Sequence, residues 1–186
     1  KRWCLRRYPA YQHAYRIAYN TLSVLLLAPP LWLLWSYEGE SLWQWSELLG
    51  WIADTAAVAA IAGFVWTLKT YDSSEFLGLS QLRKKTELNE DPGPMRLGTV
   101  HRFVRHPWYF FGLVIIWSRE MNAALLTSAI ILTLYLIIGS RLEERKLLAC
   151  YGERYSRYRQ RVPGLIPRPW RYLSRREAER ILGLQK

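Results

Sequence analysis

The 186-residue sequence predicts an all-α fold: a multi-pass transmembrane helical bundle of about four spans, closing with a C-terminal helical hairpin and an amphipathic cytoplasmic tail. Three observations predict it. The chain is 51% hydrophobic yet carries a net charge of +11, and the two residue classes are segregated along it. Apolar runs such as Ala123 to Gly139 approach the ~20 residues that cross a bilayer core. The basic segments alternate with those runs so that four crossings put every strongly basic one on the same side, with both termini cytoplasmic. Ten Trp and twelve Tyr suit that setting, because amphipathic rings favour the membrane interface. A basic chain also suggests a phosphate-seeking nucleic-acid binder, but such domains do not carry runs this apolar, and no nucleic acid is expected as a partner.

Span one is expected over about Ile17 to Trp35, with Pro29-Pro30 kinking or interrupting it. A short acidic loop follows, holding Glu38, Glu40 and Glu47. Span two is expected from about Leu48 to Leu68, with Gly63 allowing close helix approach. Asp54 inside it reads either as a buried polar contact or, preferably, as a helix N-cap near the outer interface. Residues 69–102 are polar and broken at Asp91-Pro92-Gly93-Pro94; Tyr71 to Leu79 reads as a short interfacial helix turning at Gly78. Span three is short, from Pro107, suited to a first helical turn, to about Trp117. Arg119-Glu120 makes a polar turn into span four, Met121 to Ser140. Beyond Arg141 lies a basic, aromatic tail with bends at Val162-Pro163-Gly164, Pro167 and Pro169, and a polar helix over Ser174 to Leu184. Trp32, Trp35, Trp43, Trp45 and Trp51 read as an interfacial belt, or else as the lining of a substrate site.

The domain plan is one membrane domain: residues 1–98 for the N-terminal spans and connecting loop, 99–167 for a core, 168–186 for the tail. No cleavable leader is expected, because Lys1-Arg2-Trp3-Cys4 leads through a polar-aromatic stretch before any apolar run. Cys4 and Cys150 both fall in basic segments on the cytoplasmic side, so no structural disulfide is expected. His13, His101 and His106 lack Cys or paired carboxylates at ligand intervals, so no metal site is expected.

Ionisable residues crowd the mouth of the predicted hairpin. Arg105-His106 precedes span three and Glu143-Glu144-Arg145 follows span four, so the open ends of the hairpin bring them together. Successive residues on a helix point about 100° apart, so one glutamate faces the hairpin interior while the other faces the tail or solvent. Guanidinium groups beside a carboxylate favour its charged form. The cluster suits a zwitterionic or cationic ligand, or equally an interfacial ion-pair set that anchors the helices.

Four blocks carry a resemblance: Val104-Arg105-His106-Pro107-Trp108-Tyr109-Phe110-Phe111-Gly112, Leu142-Glu143-Glu144-Arg145-Lys146-Leu147, Tyr151-Gly152-Glu153-Arg154-Tyr155-Ser156-Arg157-Tyr158 and Val162-Pro163-Gly164-Leu165-Ile166-Pro167. In order and spacing, over about residues 99–167, they resemble the isoprenylcysteine carboxyl methyltransferase superfamily, which also includes membrane phospholipid methyltransferases. Trp117 with Met121, and Tyr135 to Gly139 running into Leu142, look most like its bacterial methanethiol S-methyltransferase branch. Tyr71 to Leu82 is similar to the segment preceding the core in that branch.

The resemblance implies an S-adenosylmethionine-dependent methyltransferase of the bacterial inner membrane, with the cofactor held by the C-terminal half and closed in by the tail. It implies His106, Pro107 and Tyr109 as walls of the cofactor site. Glu144 becomes the partner of the methionine ammonium, with Glu143 the less favoured choice. Tyr158, Arg161, Val162, Pro163 and Leu165 would form the tail's side. Arg105 would face the reacting centre or the cofactor carboxylate, so Arg105, His106 and Glu144 are the expected catalytic group. His101 stands where the family often has Tyr, and Gly98-Thr99 is shifted by one residue. The expected acceptor is a small thiol or other lipophilic nucleophile reaching the site through the lipid bilayer. The alternatives are a phospholipid or prenylcysteine methyltransferase and a non-catalytic protein that keeps the fold.

Overall fold

The computed structural model describes residues 15–37, 39–68 and 94–183. The chain divides into two compact units, residues 1–38 with 68–92 and residues 39–67 with 93–186. In the first unit the described element is helix α1, Tyr15–Ser36. It runs unbroken through Pro29 and Pro30, so the expected interruption does not occur. Leu22 and Val24 to Leu27 stay exposed. The segment Tyr71 to Leu82 and the break at Asp91 lie outside the described residues.

The second unit contains β1 (Ser41–Trp43), α2 (Glu47–Leu68), a 3-10 turn (Val100–Arg102), α3 (Pro107–Trp117), β2 (Met121–Asn122), α4 (Ala123–Tyr151), α5 (Glu153–Arg161) and α6 (Arg175–Leu182). The chain is thus mostly helical. Among the described residues two helices, α2 and α4, are long and apolar enough to cross a membrane. Both are apolar around most of their circumference and expose much of it, including Trp51, Val58, Ile61, Ile131, Leu134 and Ile138. In water such surfaces would be costly. A helix apolar all round belongs in a large core or in lipid.

Three features depart from the expected plan. First, two short strands pair antiparallel, Ser41 opposite Asn122 and Trp43 opposite Met121, so the acidic loop is strapped onto the α3–α4 connection. Trp45 supports the strap by donating its indole N–H to the Ser118 carbonyl at 3.1 Å. Second, α4 does not end at Ser140 but continues to Tyr151. It starts where Asn122 caps it, the Asn122 side chain accepting from the Leu125 N–H at 2.8 Å. The tail therefore begins at Gly152, whose φ of 54° is a backbone state that favours glycine. Third, Asp54 is no N-cap. It lies two turns inside α2 and forms an exposed ion pair with Arg119, Oδ1 to Nη2 at 2.8 Å.

The contact of α2 with α3 is close. A Cβ on Gly63 would sit 2.7 Å from the Phe111 ring. Toward the start of α3, Phe64 packs against Trp108 with ring centroids 5.6 Å apart, and the Trp108 indole N–H donates to the Thr67 hydroxyl at 2.8 Å. The tail folds on its own small core of Tyr155, Tyr158, Val162, Leu173 and Ala178, with Leu147, Leu148, Tyr151 and Ile181 around it. Helix α6 opens with a capping box, Ser174 accepting from the Glu177 N–H and Glu177 accepting from the Ser174 N–H, and stops at Gly183 in the left-handed region. Those are the expected sequence cues for a helix start and stop.

Candidate functional site

The cluster is built where the lower ends of α3 and α4 meet the tail. Helix register decides what α4 contributes. Its buried residues are Ala129, Leu136, Ser140 and Glu144, spaced at seven, four and four along a single stripe. Glu144 is the last member and is only 6% exposed. Glu143, one position earlier, is rotated off the stripe and leaves half its side chain open (50%).

The residue before α3 turns His106 inward. Pro107 takes the first helical position and His106 precedes it with φ −121° and no capping bond from its side chain. The imidazole is free for the carboxylates. Its Nε2 lies 3.2 Å from Glu144 Oε1 and its Nδ1 lies 3.5 Å from Glu143 Oε2, so one ring bridges both acids. Tyr109, one turn into α3, stacks on it at 5.2 Å with an 11° interplanar angle. The Tyr109 hydroxyl also donates to Glu143 Oε2 at 3.4 Å.

Burial by itself pushes the His106 pKa down. The hydrogen bonds and charges of Glu143 and Glu144 outweigh it, and the result is raised above the ordinary 6.5. His101 moves the other way, lowered first by burial and then by the charge of His106. Of the two histidines, His106 takes the proton.

Arg105 is held by partners within the chain. Its Nε and Nη2 bind Glu144 Oε1 at 2.9 and 2.7 Å. Its Nη1 donates to the Arg159 carbonyl at 2.8 Å and to the Val162 carbonyl. Every nitrogen of the guanidinium is occupied within the chain, so it acts as a strut between α4 and the tail. The backbone doubles the strut: Arg105 N–H donates to the Pro163 carbonyl at 2.9 Å and His106 N–H to the Gly164 carbonyl at 3.1 Å. Glu144 is also filled, because Arg159 Nε approaches its Oε2 at 3.3 Å. The carboxylate of the pair that retains open surface is Glu143.

The tail residues divide. Tyr158 is buried and donates its hydroxyl to the His101 carbonyl at 2.7 Å. Val162 is fully buried and, with Pro163, holds the Arg105 side chain and backbone; Leu165 is half-buried just beyond. Arg161 is exposed and its charge is felt at Glu177 in α6, away from the acidic pair. Two residues enter that sequence reasoning had not placed in the site. Arg159 was visible only as one of several tail arginines. Gly164 was visible as part of a bend and of the fourth resemblance block but was given no role, yet a Cβ there would sit 3.2 Å from Arg105 Nη2. The spacing Ala129, Leu136, Ser140, Glu144 was the sequence signal that could have told the two glutamates apart.

The cluster can offer a half-open carboxylate on Glu143, backed by imidazole and phenol, and a half-open guanidinium on Arg159 (51%) paired to the adjacent Glu144. That set matches an amino-acid zwitterion.

No family model matches the chain, and no solved structure is significantly similar to it. Curated proteins are. Methanethiol S-methyltransferase from Crocosphaera subtropica is 30% identical over 171 residues, 90% of this chain and 66% of that protein. Methanethiol S-methyltransferase 1 from Bradyrhizobium diazoefficiens is 34% identical over 143 residues, 69% of this chain and 49% of that protein. The namesake from Pseudomonas deceptionensis is 30% identical over 159 residues, 82% of this chain and 59% of that protein. The chain spans about half to two thirds of the length of these relatives. The alignments cover most of this chain and, in the longest of these three, the whole Arg105–Gly164 cluster, so the chain is similar over most of its length to methanethiol S-methyltransferases.

Proposed function

We propose that this chain is an integral membrane methyltransferase that uses S-adenosylmethionine to methylate a small thiol such as methanethiol. In this reading the chain crosses the bacterial inner membrane four times with both termini in the cytoplasm, and residues 99–167 form the cofactor-binding core. The observation that carries it is the half-open Glu143 carboxylate, held by His106 and Tyr109, with the half-open Arg159 guanidinium on the neighbouring Glu144. The cofactor's methionine end is an ammonium and a carboxylate. Glu143 is the chain's acceptor for the ammonium and Arg159 its donor for the carboxylate, while the Tyr109 ring gives a cation-tolerant wall. Pro107, Leu165 and the Val162-Pro163 turn close the apolar side. When bound, the cofactor supplies a sulfonium-bound methyl group as the electrophile.

The chain's own part is positioning. Methyl transfer to sulfur is an in-line displacement that gains from fixed geometry and excluded water. Arg105 and Glu144 supply the fixed geometry by locking the tail turn to α3 and α4. His106 keeps its proton across a wider pH range than a free histidine, so it holds Glu143 in place and is a weak base for the acceptor. Thiols ionise readily enough to lose their proton to water or buffer.

The test separates the two glutamates. Purified protein is given labelled S-adenosylmethionine with a panel of thiols, amines and lipid extracts. Thiol methylation is expected. Glu143→Gln is expected to weaken cofactor affinity at least tenfold with little change in melting temperature. Glu144→Gln is expected to lower the melting temperature together with activity. Unchanged cofactor affinity in Glu143→Gln would remove the assignment; methylation of lipid and not thiol would redirect it to a phospholipid methyltransferase.

A further inference from the structure

We infer that the turn from Ile166 to Tyr172, together with Phe103, is a foot that rests in the headgroup layer of the cytoplasmic leaflet and binds anionic lipid. The inference rests on the membrane reading above. Pro167 and Pro169 keep this stretch out of a helix. Arg171 N–H donates to the Arg168 carbonyl at 2.9 Å, which closes a tight turn with Pro169-Trp170 at its tip.

The turn's backbone is tied down on one side. Leu173 N–H donates to the Arg102 carbonyl at 2.9 Å and the Arg102 Nε donates back to the Leu173 carbonyl at 2.9 Å. The Arg171 guanidinium donates to the Gln160 carbonyl. Tyr172 stacks on Phe103 with centroids 5.8 Å apart and a 19° interplanar angle. This is a built surface, and its large apolar groups are uncovered: Trp170 is 77% exposed, Ile166 67%, Tyr172 50% and Phe103 44%. The tail's amphipathic helix does not cover them, because α6 turns Ala178 and Ile181 into the tail core.

Charge and position name the occupant. No acidic residue occurs between Glu153 and Glu177. Arg168 is exposed at the turn, and the Arg102 guanidinium lies 5.7 Å from the Phe103 ring centre. Phe103 is four residues ahead of Pro107, where the apolar helix α3 begins, so in the membrane reading the patch lies close to the cytoplasmic end of α3. Tryptophan and tyrosine beside arginine at that depth form the pairing that headgroups favour. The phosphates of anionic lipids accept from guanidinium groups, at a cost of about fivefold in affinity per cation lost.

The test uses the full chain with both cysteines replaced by serine and an environment-sensitive fluorophore on Trp170→Cys. A second reporter on Ile166→Cys guards against a local defect, and one on Arg157→Cys in α5 is the control. Each protein is reconstituted in nanodiscs of phosphatidylcholine alone or mixed with phosphatidylglycerol. Nitroxide-labelled lipid is expected to quench positions 170 and 166 strongly, and aqueous iodide weakly, in the anionic discs. Arg168→Gln is expected to shift the lipid-to-iodide quenching ratio about fivefold toward water, and raised salt should shift it the same way. Iodide quenching at 170 and 166 equal to that at 157, in both lipids, overturns the inference. So does shielding from iodide without quenching by lipid, which would mean a protein partner. A chain that never enters the discs defeats the membrane reading instead, so the two failures are distinct.

Discussion

At the residue scale, His106 has the most measurable consequence. Its pKa in the folded chain is raised above 6.5 because two carboxylates favour the imidazolium more than burial opposes it. The sign follows by linkage: a group that holds its proton more tightly when folded stabilises the fold most fully below its unfolded pKa. That contribution is lost as pH rises through the elevated value. Melting temperature in detergent is therefore expected to fall as pH climbs above about 6.5, and His106→Gln should flatten that decline. A decline of the same steepness in the variant would show that the carboxylates do not hold this proton. Glu144 is the other residue of note. Its neighbours Arg105 and His106 are themselves largely buried (12% and 7% side-chain exposure). Glu144→Ala leaves the buried Arg105 without a counter-charge and His106 with the half-exposed Glu143 alone, and breaking a buried pair from one side costs about 3–5 kcal/mol. Chemical denaturation of Glu144→Ala against Glu143→Ala should show that difference, since Glu143 is half in solvent.

At the element scale, the close approach of α2 and α3 depends on one missing methyl group. The Phe111 ring occupies the place of a Gly63 side chain, so Gly63→Ala forces the ring or the helix aside at about 1–3 kcal/mol. The pair Gly63→Ala with Phe111→Leu should recover most of the loss, because the two sites share one space. Simple additivity in thermal melts would show that the helices do not meet there. The elements also show how the hairpin is completed. Eleven residues of α3 rise about 16 Å and the 29 of α4 about 44 Å, against a hydrocarbon core of about 30 Å. Helix α4 is long enough to carry Glu143 and Glu144 beyond the apolar run. Helix α3 is too short, and its connection is finished by the extended β2 paired to β1. Pairing the strap satisfies backbone groups of both short strands.

At the scale of the whole molecule, the tail is structural support for the site as much as a cover. Truncation after Leu148 removes the Arg159, Val162, Pro163 and Gly164 carbonyls that receive Arg105 and His106. Methyl transfer should vanish. Truncation after Leu173 removes only α6 and keeps those acceptors, so activity should survive at low temperature with a lower melting point. Full activity in the shorter truncation would dismiss the support role. The sequence by itself determined the long apolar helices, the proline start of α3, the polar helix from Ser174 and the convergence of Arg105-His106 with Glu143-Glu144. The first three depend on residues near one another in the chain, where composition and helical period act directly; the convergence follows from the connectivity of a helical hairpin, whose open ends meet. Only the tertiary structure decided that Glu144 is sealed and Glu143 open, that Arg105 is a strut, that Asp54 pairs with Arg119, and that two strands of two and three residues brace the hairpin. Those outcomes turn on helix rotation and on partners 38 to 81 residues apart, and local propensity carries no information about which distant group will fill a hydrogen bond.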